Sequence, residues 1–103
     1  MNEQEQLYHE IGGSFEGSER GQMFGKPCYK FNGKTFISFY QNEMVFKLEG
    51  DALEEALALS NSKLFDPSQK GRPMKEWVQV SHANAHEWKK LGKAAFEYSI
   101  KPV

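Results

Sequence analysis

A chain of 103 residues, 39% hydrophobic and 14% aromatic, can bury a core without metal or disulfide staples, and its single cysteine, Cys28, cannot form an intrachain bridge. Lys plus Arg number 13 against 14 Asp plus Glu, a formal net charge of −1, which excludes a general polyelectrolyte binder of nucleic acid or anionic membrane. No apolar run approaches the length of a membrane-spanning helix, and the opening MNEQEQ is acidic where a secretory signal would be basic and then apolar, so one cytoplasmic domain over residues 1–103 is expected.

Residues 3 to 12 set Leu7, Tyr8 and Ile11 at helical spacing among Glu and Gln, with Gly12 and Gly13 as the stop, and GGSFEGSERG reads as loop. Strands are predicted at about 22 to 31, 35 to 40 and 43 to 48, the first pair joined by Asn32-Gly33, which supplies the positive φ angles of a type I′ turn. Asp51 is placed to cap a helix over 52 to 60, with Leu53, Ala56, Leu57 and Ala58 inward. Lys63 to Asp66 suggests a short strand, PSQKGRP a loop, and Met74 to Val80 a strand with Trp77 opposite Val78 and Val80. A last helix over about 84 to 99 aligns Ala85, Trp88, Leu91, Ala95 and Phe96, with Lys89, Lys90 and Lys93 elsewhere. The order α-β-β-β-α-β-β-α has no strand-helix alternation of the parallel kind. The fold class it predicts is α+β, a two-layer α/β sandwich on a mainly antiparallel sheet.

A register fixed by Asn32-Gly33 pairs Tyr29 with Phe36 and Cys28 with Ile37. One face then gathers Cys28, Ile37, Phe39, Met44, Phe46 and Leu48 as the core. The other gathers Tyr29, Phe31, Phe36, Tyr40 and Val45 among Lys34, Ser38, Glu43 and Lys47. Such an aromatic face serves as a protein-contact or dimer surface, stacks bases, or lies under the first helix and the long loops.

Few constellations carry chemistry. His82 and His86 stand four apart, a metal-ligand spacing without an identifiable third ligand, and at a helix start such residues are more often solvated or local caps. Cys28 lies between Lys26 and Lys30, which favours a thiolate, although an inward strand position makes it a small core residue. Lys70-Gly71-Arg72-Pro73 with Lys75 suits an anion, whereas its loop setting also suits a solvated connection. Arg20, Lys26, Lys34, Lys70, Arg72 and Lys75 are the candidate nucleic-acid contacts. No catalytic residue, cofactor or metal ligand is assigned.

Met23-Phe24-Gly25, Asn32-Gly33-Lys34-Thr35-Phe36, Phe46-Lys47-Leu48 and Gly71-Arg72-Pro73-Met74 followed by Trp77 occur in one order along nearly the whole chain. On these residues the chain resembles the N-terminal domain of the TfoX/Sxy competence-regulator family, whose two-layer fold is shared with YjbR-like and secretion-chaperone-like domains. The resemblance implies a non-enzymatic regulatory module; the face of Tyr29, Phe31, Phe36 and Tyr40 given by the strand register is the expected surface for a protein partner, including a second copy. Full-length members carry a further helical domain with no counterpart in residues 1–103, and the family supplies no catalytic residues to transfer.

Overall fold

The computed structural model describes residues 2–68, 70–71 and 73–102. Helix α1, Glu3–Gly13, is followed by four consecutive strands: β1 at Glu19–Met23, β2 at Lys26–Phe31, β3 at Lys34–Tyr40 and β4 at Glu43–Lys47. Helix α2 (Gly50–Ala58), strands β5 (Lys63–Leu64) and β6 (Trp77–Val80), a 3-10 turn at His82–Glu87 and helix α3 (Trp88–Ser99) complete the described elements. The strands form one antiparallel sheet in the order β1-β2-β3-β4-β6-β5. The α+β sandwich is therefore present, with one strand more than predicted.

The extra strand arises because the segment expected as a single strand over 22 to 31 folds back on itself at Phe24-Gly25. Both residues have positive φ, 53° and 75°, as do Asn32 and Gly33 at 52° and 78° and Gln41 and Asn42 at 52° and 64°. Three successive two-residue hairpins with this left-handed pair, the geometry that matches strand twist, wind β1 to β4 into a meander. Elsewhere the helix limits shift. Glu49, not Asp51, is the N-cap of α2, and Asp51 sits inside its first turn; Ala56 is buried while Leu57 is exposed. The last predicted helix starts as the 3-10 turn, whose Ser81 hydroxyl accepts from the Ala83 N–H, and becomes α-helical at Trp88.

The sheet faces differ from the register argument at one residue. Lys30 pairs with Thr35, but the next pair is Tyr29 with Ile37, so one step on β2 answers two on β3 and Phe36 is the additional residue. This bulge turns Phe36 towards the helices together with Ile37, and brings Tyr29 and Phe31 to the same side. Phe36 is fully buried and Tyr29 is 5% exposed, so neither belongs to an open face. Phe31 packs edge-on against Phe96 with ring centroids 5.1 Å apart. Conversely Cys28, expected inward, pairs with Ser38 on the far side, where its Sγ lies 3.6 Å from the Thr35 hydroxyl.

The main core lies between sheet and helices, around Phe36, Ile37, Met44, Phe46, Leu48, Val78, Val80 and Trp88, all fully buried. Each such side chain contributes about 1.5–3 kcal/mol through removal from water. Helices α1 and α3 pack over β3, α3 also over β4, and α2 over β6, which orders the helix layer α1, α3, α2. On the far face Val45, Phe65 and Trp77 form a smaller cluster with Met23, Tyr40 and Met74. The segment between β5 and β6 covers it, tied down by Phe65 N–H to Trp77 O at 2.7 Å and Met74 N–H to Phe65 O at 2.7 Å. No helix among the described residues is long and apolar enough to cross a membrane.

Candidate functional site

Of the four aromatics predicted to form a contact surface, only Tyr40 stays on the far face, and it is itself packed, with its ring 5.5 Å from that of Phe65 and Lys26 Nζ 4.7 Å above its centroid. Tyr29 and Phe36 are core residues, and Phe31 is half-buried against the core. An aromatic interaction sheet of these four does not exist in this fold.

The predicted cation set is dispersed in the same way. Lys26 and Lys34 stand at opposite ends of the β2–β3 ladder, about 17 Å apart at ~3.3 Å per residue. Arg20 pairs with Tyr29 and so shares the helix side, whereas Lys26 lies over Tyr40 on the far side. Lys70 and Lys75 are exposed on the segment between β5 and β6, and Arg72 lies outside the described residues. In that segment the Asp66 carboxylate accepts from the Ser68 hydroxyl at 2.8 Å and the Gly71 N–H at 3.0 Å, so its convergent donors already serve a carboxylate of the chain.

His82 and His86 are both exposed on the 3-10 turn, and no group of three or more His, Cys, Asp or Glu among the described residues could hold a metal ion. Cys28, at 1% exposure, is withdrawn from solvent.

Two polar clusters were not anticipated. Between α1 and β2, His9 Nδ1 is 2.8 Å from the Tyr29 hydroxyl, and Glu5 lies 3.9 Å from Nε2. Burial, and secondarily the nearby Arg20 charge, lowers the His9 pKa from 6.5. Burial also raises that of Tyr29. At the other end of the sheet, Lys34, Lys47, Glu49, Tyr98 and Lys101 line a depression of about 440 Å³. Within it Lys101 pairs with Glu49, and beside it the Tyr98 hydroxyl donates to Glu76 at 2.9 Å, a bond that raises the Tyr98 pKa.

A strongly apolar depression lies on the outside of the helix layer. Phe15, just after α1, stacks on Phe96 of α3 with centroids 4.6 Å apart and an interplanar angle of 12°. Together with Ile100, 49% exposed at the end of α3, these rings line a groove of about 710 Å³. Lys89, Lys90 and Lys93 form its basic side, with Glu97 the one acid along its lining. Residues 86, 89, 93, 96 or 97, and 100 recur at helical spacing, so the groove follows α3 for roughly 20 Å at ~1.5 Å per residue. The sequence hid it because Phe96 also belongs to the buried stripe of α3 and its ring partner is distant in the chain. The isolated aromatic Phe15 within an otherwise polar Gly-Ser-Glu loop is the one sequence signal that could have found it.

Compared with known protein families, with curated proteins and with solved structures, the chain matches none.

Proposed function

We propose that this chain is a non-enzymatic protein-interaction module, of the kind the TfoX/Sxy N-terminal domain represents, and that it binds through the groove along α3. The observation that carries the reading is the coincidence of an aromatic-aliphatic floor, Phe15, Phe96 and Ile100, with three lysines beside it. Exposed apolar surface of this kind, flanked by charge, marks a contact site. The groove is open along one side of α3, so a small molecule in it would keep much of its surface wet, whereas a macromolecular surface covers it. Support for a regulatory binding role in place of catalysis comes from the resemblance of the motif order to that of the competence-regulator domains.

Affinity capture from native lysate, with and without nuclease, tests the reading by comparing the natural chain with Ile100→Asp, a change at an exposed position that leaves the core untouched. A protein retained by the first and lost with the second is the expected result. Equal retention of a protein by both would remove the groove as the binding site, and retention only of nucleic acid in a salt-sensitive manner would replace the reading with that of a nucleic-acid binder.

A further inference from the structure

We propose that the occupant of the α3 groove is helix α2 of a second copy of this chain, so that the module closes as a two-fold dimer through its helix layer. The inference rests on the reading of the groove as a protein-binding site.

Charge complementarity selects the occupant. The groove presents Lys89, Lys90 and Lys93 against a single acid, Glu97, on a chain whose formal net charge is −1. The outward side of α2 presents the opposite: Asp51, Glu54 and Glu55 are exposed, and with them Leu57, 38% accessible, and Ala58. Leu57 is one of the large hydrophobic side chains left in solvent, alongside Phe24 and Ile100, and Ile100 lines the groove. An acidic helix with one protruding leucine therefore meets a basic groove with an aromatic and isoleucine floor. The two helix types already pair across the layer within one molecule, where Lys90 Nζ stands 3.7 Å from Glu55. That pair is well exposed on both sides and contributes little while solvated; across an interface such charges act chiefly by selecting the partner and fixing its register.

The order of the helix layer allows the contact to close. With α3 in the middle, α1 on one side and α2 on the other, the groove at the α1–α3 junction and the acidic face of α2 flank α3 on opposite sides. A two-fold axis running along α3 just outside the layer carries α2 of each copy over the groove of the other. Both contacts form at once, giving an isologous interface that does not propagate into a filament.

Sedimentation velocity over a concentration series, with matched urea unfolding to verify that each variant folds, tests the proposal. The natural chain is expected to double in mass with rising concentration. Lys93→Glu and Glu54→Lys each weaken association about tenfold, and the combined variant recovers it, because the swapped charges meet across the interface. Leu57→Asp and Ile100→Asp abolish it without lowering the urea midpoint. The proposal is overturned by a double variant no tighter than the singles, or by a dimer indifferent to Leu57→Asp and Ile100→Asp. It is likewise overturned if the chain stays monomeric while the groove, judged by Ile100→Asp, captures a different acidic protein or phosphatidylglycerol vesicles. Capture of a different protein leaves the interaction-module reading standing. A monomer with no groove-dependent capture removes both.

Discussion

His9 Nδ1 and the Tyr29 hydroxyl oxygen lie 2.8 Å apart, joining α1 to β2 at the boundary between the helix layer and the sheet. With the imidazole proton on Nε2, towards Glu5, Nδ1 accepts from the tyrosine, and protonation of His9 removes that acceptor. The lowered pKa of His9 in the fold means that the unfolded chain binds the proton more readily between the two values. Its contribution is accordingly intact above the unfolded value of 6.5 and declines as pH falls below it. The urea midpoint of the natural chain minus that of His9→Gln should shrink from pH 7.5 to pH 5.5. A difference that stays constant across this interval would remove His9 as the titrating group.

Gly12 and Gly13 are adjacent at the end of α1, yet alanine should act oppositely at the two. A Cβ on Gly12 would come within 2.3 Å of the Tyr29 ring, whereas one on Gly13 meets nothing within 4 Å. Alanine at a helical glycine contributes up to ~1 kcal/mol, and overpacking costs about 1–3 kcal/mol. The clash prevails at the first site only. Gly12→Ala should lower the unfolding free energy by about 1–2 kcal/mol and Gly13→Ala should leave it unchanged or raise it slightly; equal effects would show that α1 does not seat on Tyr29 this closely.

Phe24 occupies the left-handed region at φ 53° with its ring 58% exposed. A bulky residue there costs of order 1 kcal/mol, which asparagine largely avoids. Phe24→Asn should therefore stabilise the chain by about 0.5–1 kcal/mol in chemical denaturation, since the hydrogen bond from Lys26 Nζ to the Phe24 carbonyl is to the backbone and survives. Destabilisation would mean that the exposed ring makes intramolecular contacts of its own.

Phe36 provides the strictest check on the bulge. Its ring meets those of Phe15 and Phe96 at 5.7 and 5.4 Å, and removal of a buried phenylalanine costs roughly 3–5 kcal/mol. Against a total stability of about 5–15 kcal/mol, Phe36→Ala should lower the thermal midpoint sharply or leave the chain unfolded by circular dichroism. A mild effect, below about 1 kcal/mol, would return Phe36 to the outer face.

Local chemistry settled a good part of this protein in advance. Asn32-Gly33 names its own turn, because few other residue pairs tolerate two consecutive left-handed conformations. Beyond that turn, alternation correctly placed Ile37, Phe39, Met44, Phe46 and Leu48 inward, and the same rule set Trp77 opposite Val78 and Val80. These features depend on neighbours a few residues away, which is the range over which a sequence pattern is explicit.

What the pattern did not contain was decided at longer range. The additional residue at Phe36 shifts the register by one, and since side chains alternate, that step exchanges Tyr29 and Phe31 with Cys28 between the faces of β2. Its cause is three-dimensional: Phe36 gains a ring cluster with Phe15 and Phe96, residues twenty-odd and sixty positions away in the chain. The α3 groove has the same origin. Phe15, Phe96 and Ile100 carry no shared motif, and only the packing of the end of α1 against α3 brings them onto one surface. Sequence alone thus determined the Asn32-Gly33 turn, the inward set on β4 and the α+β class, because these are backbone and nearest-neighbour properties. Tertiary packing determined which side chains remain for a partner, because burial is a property of contacts between distant segments.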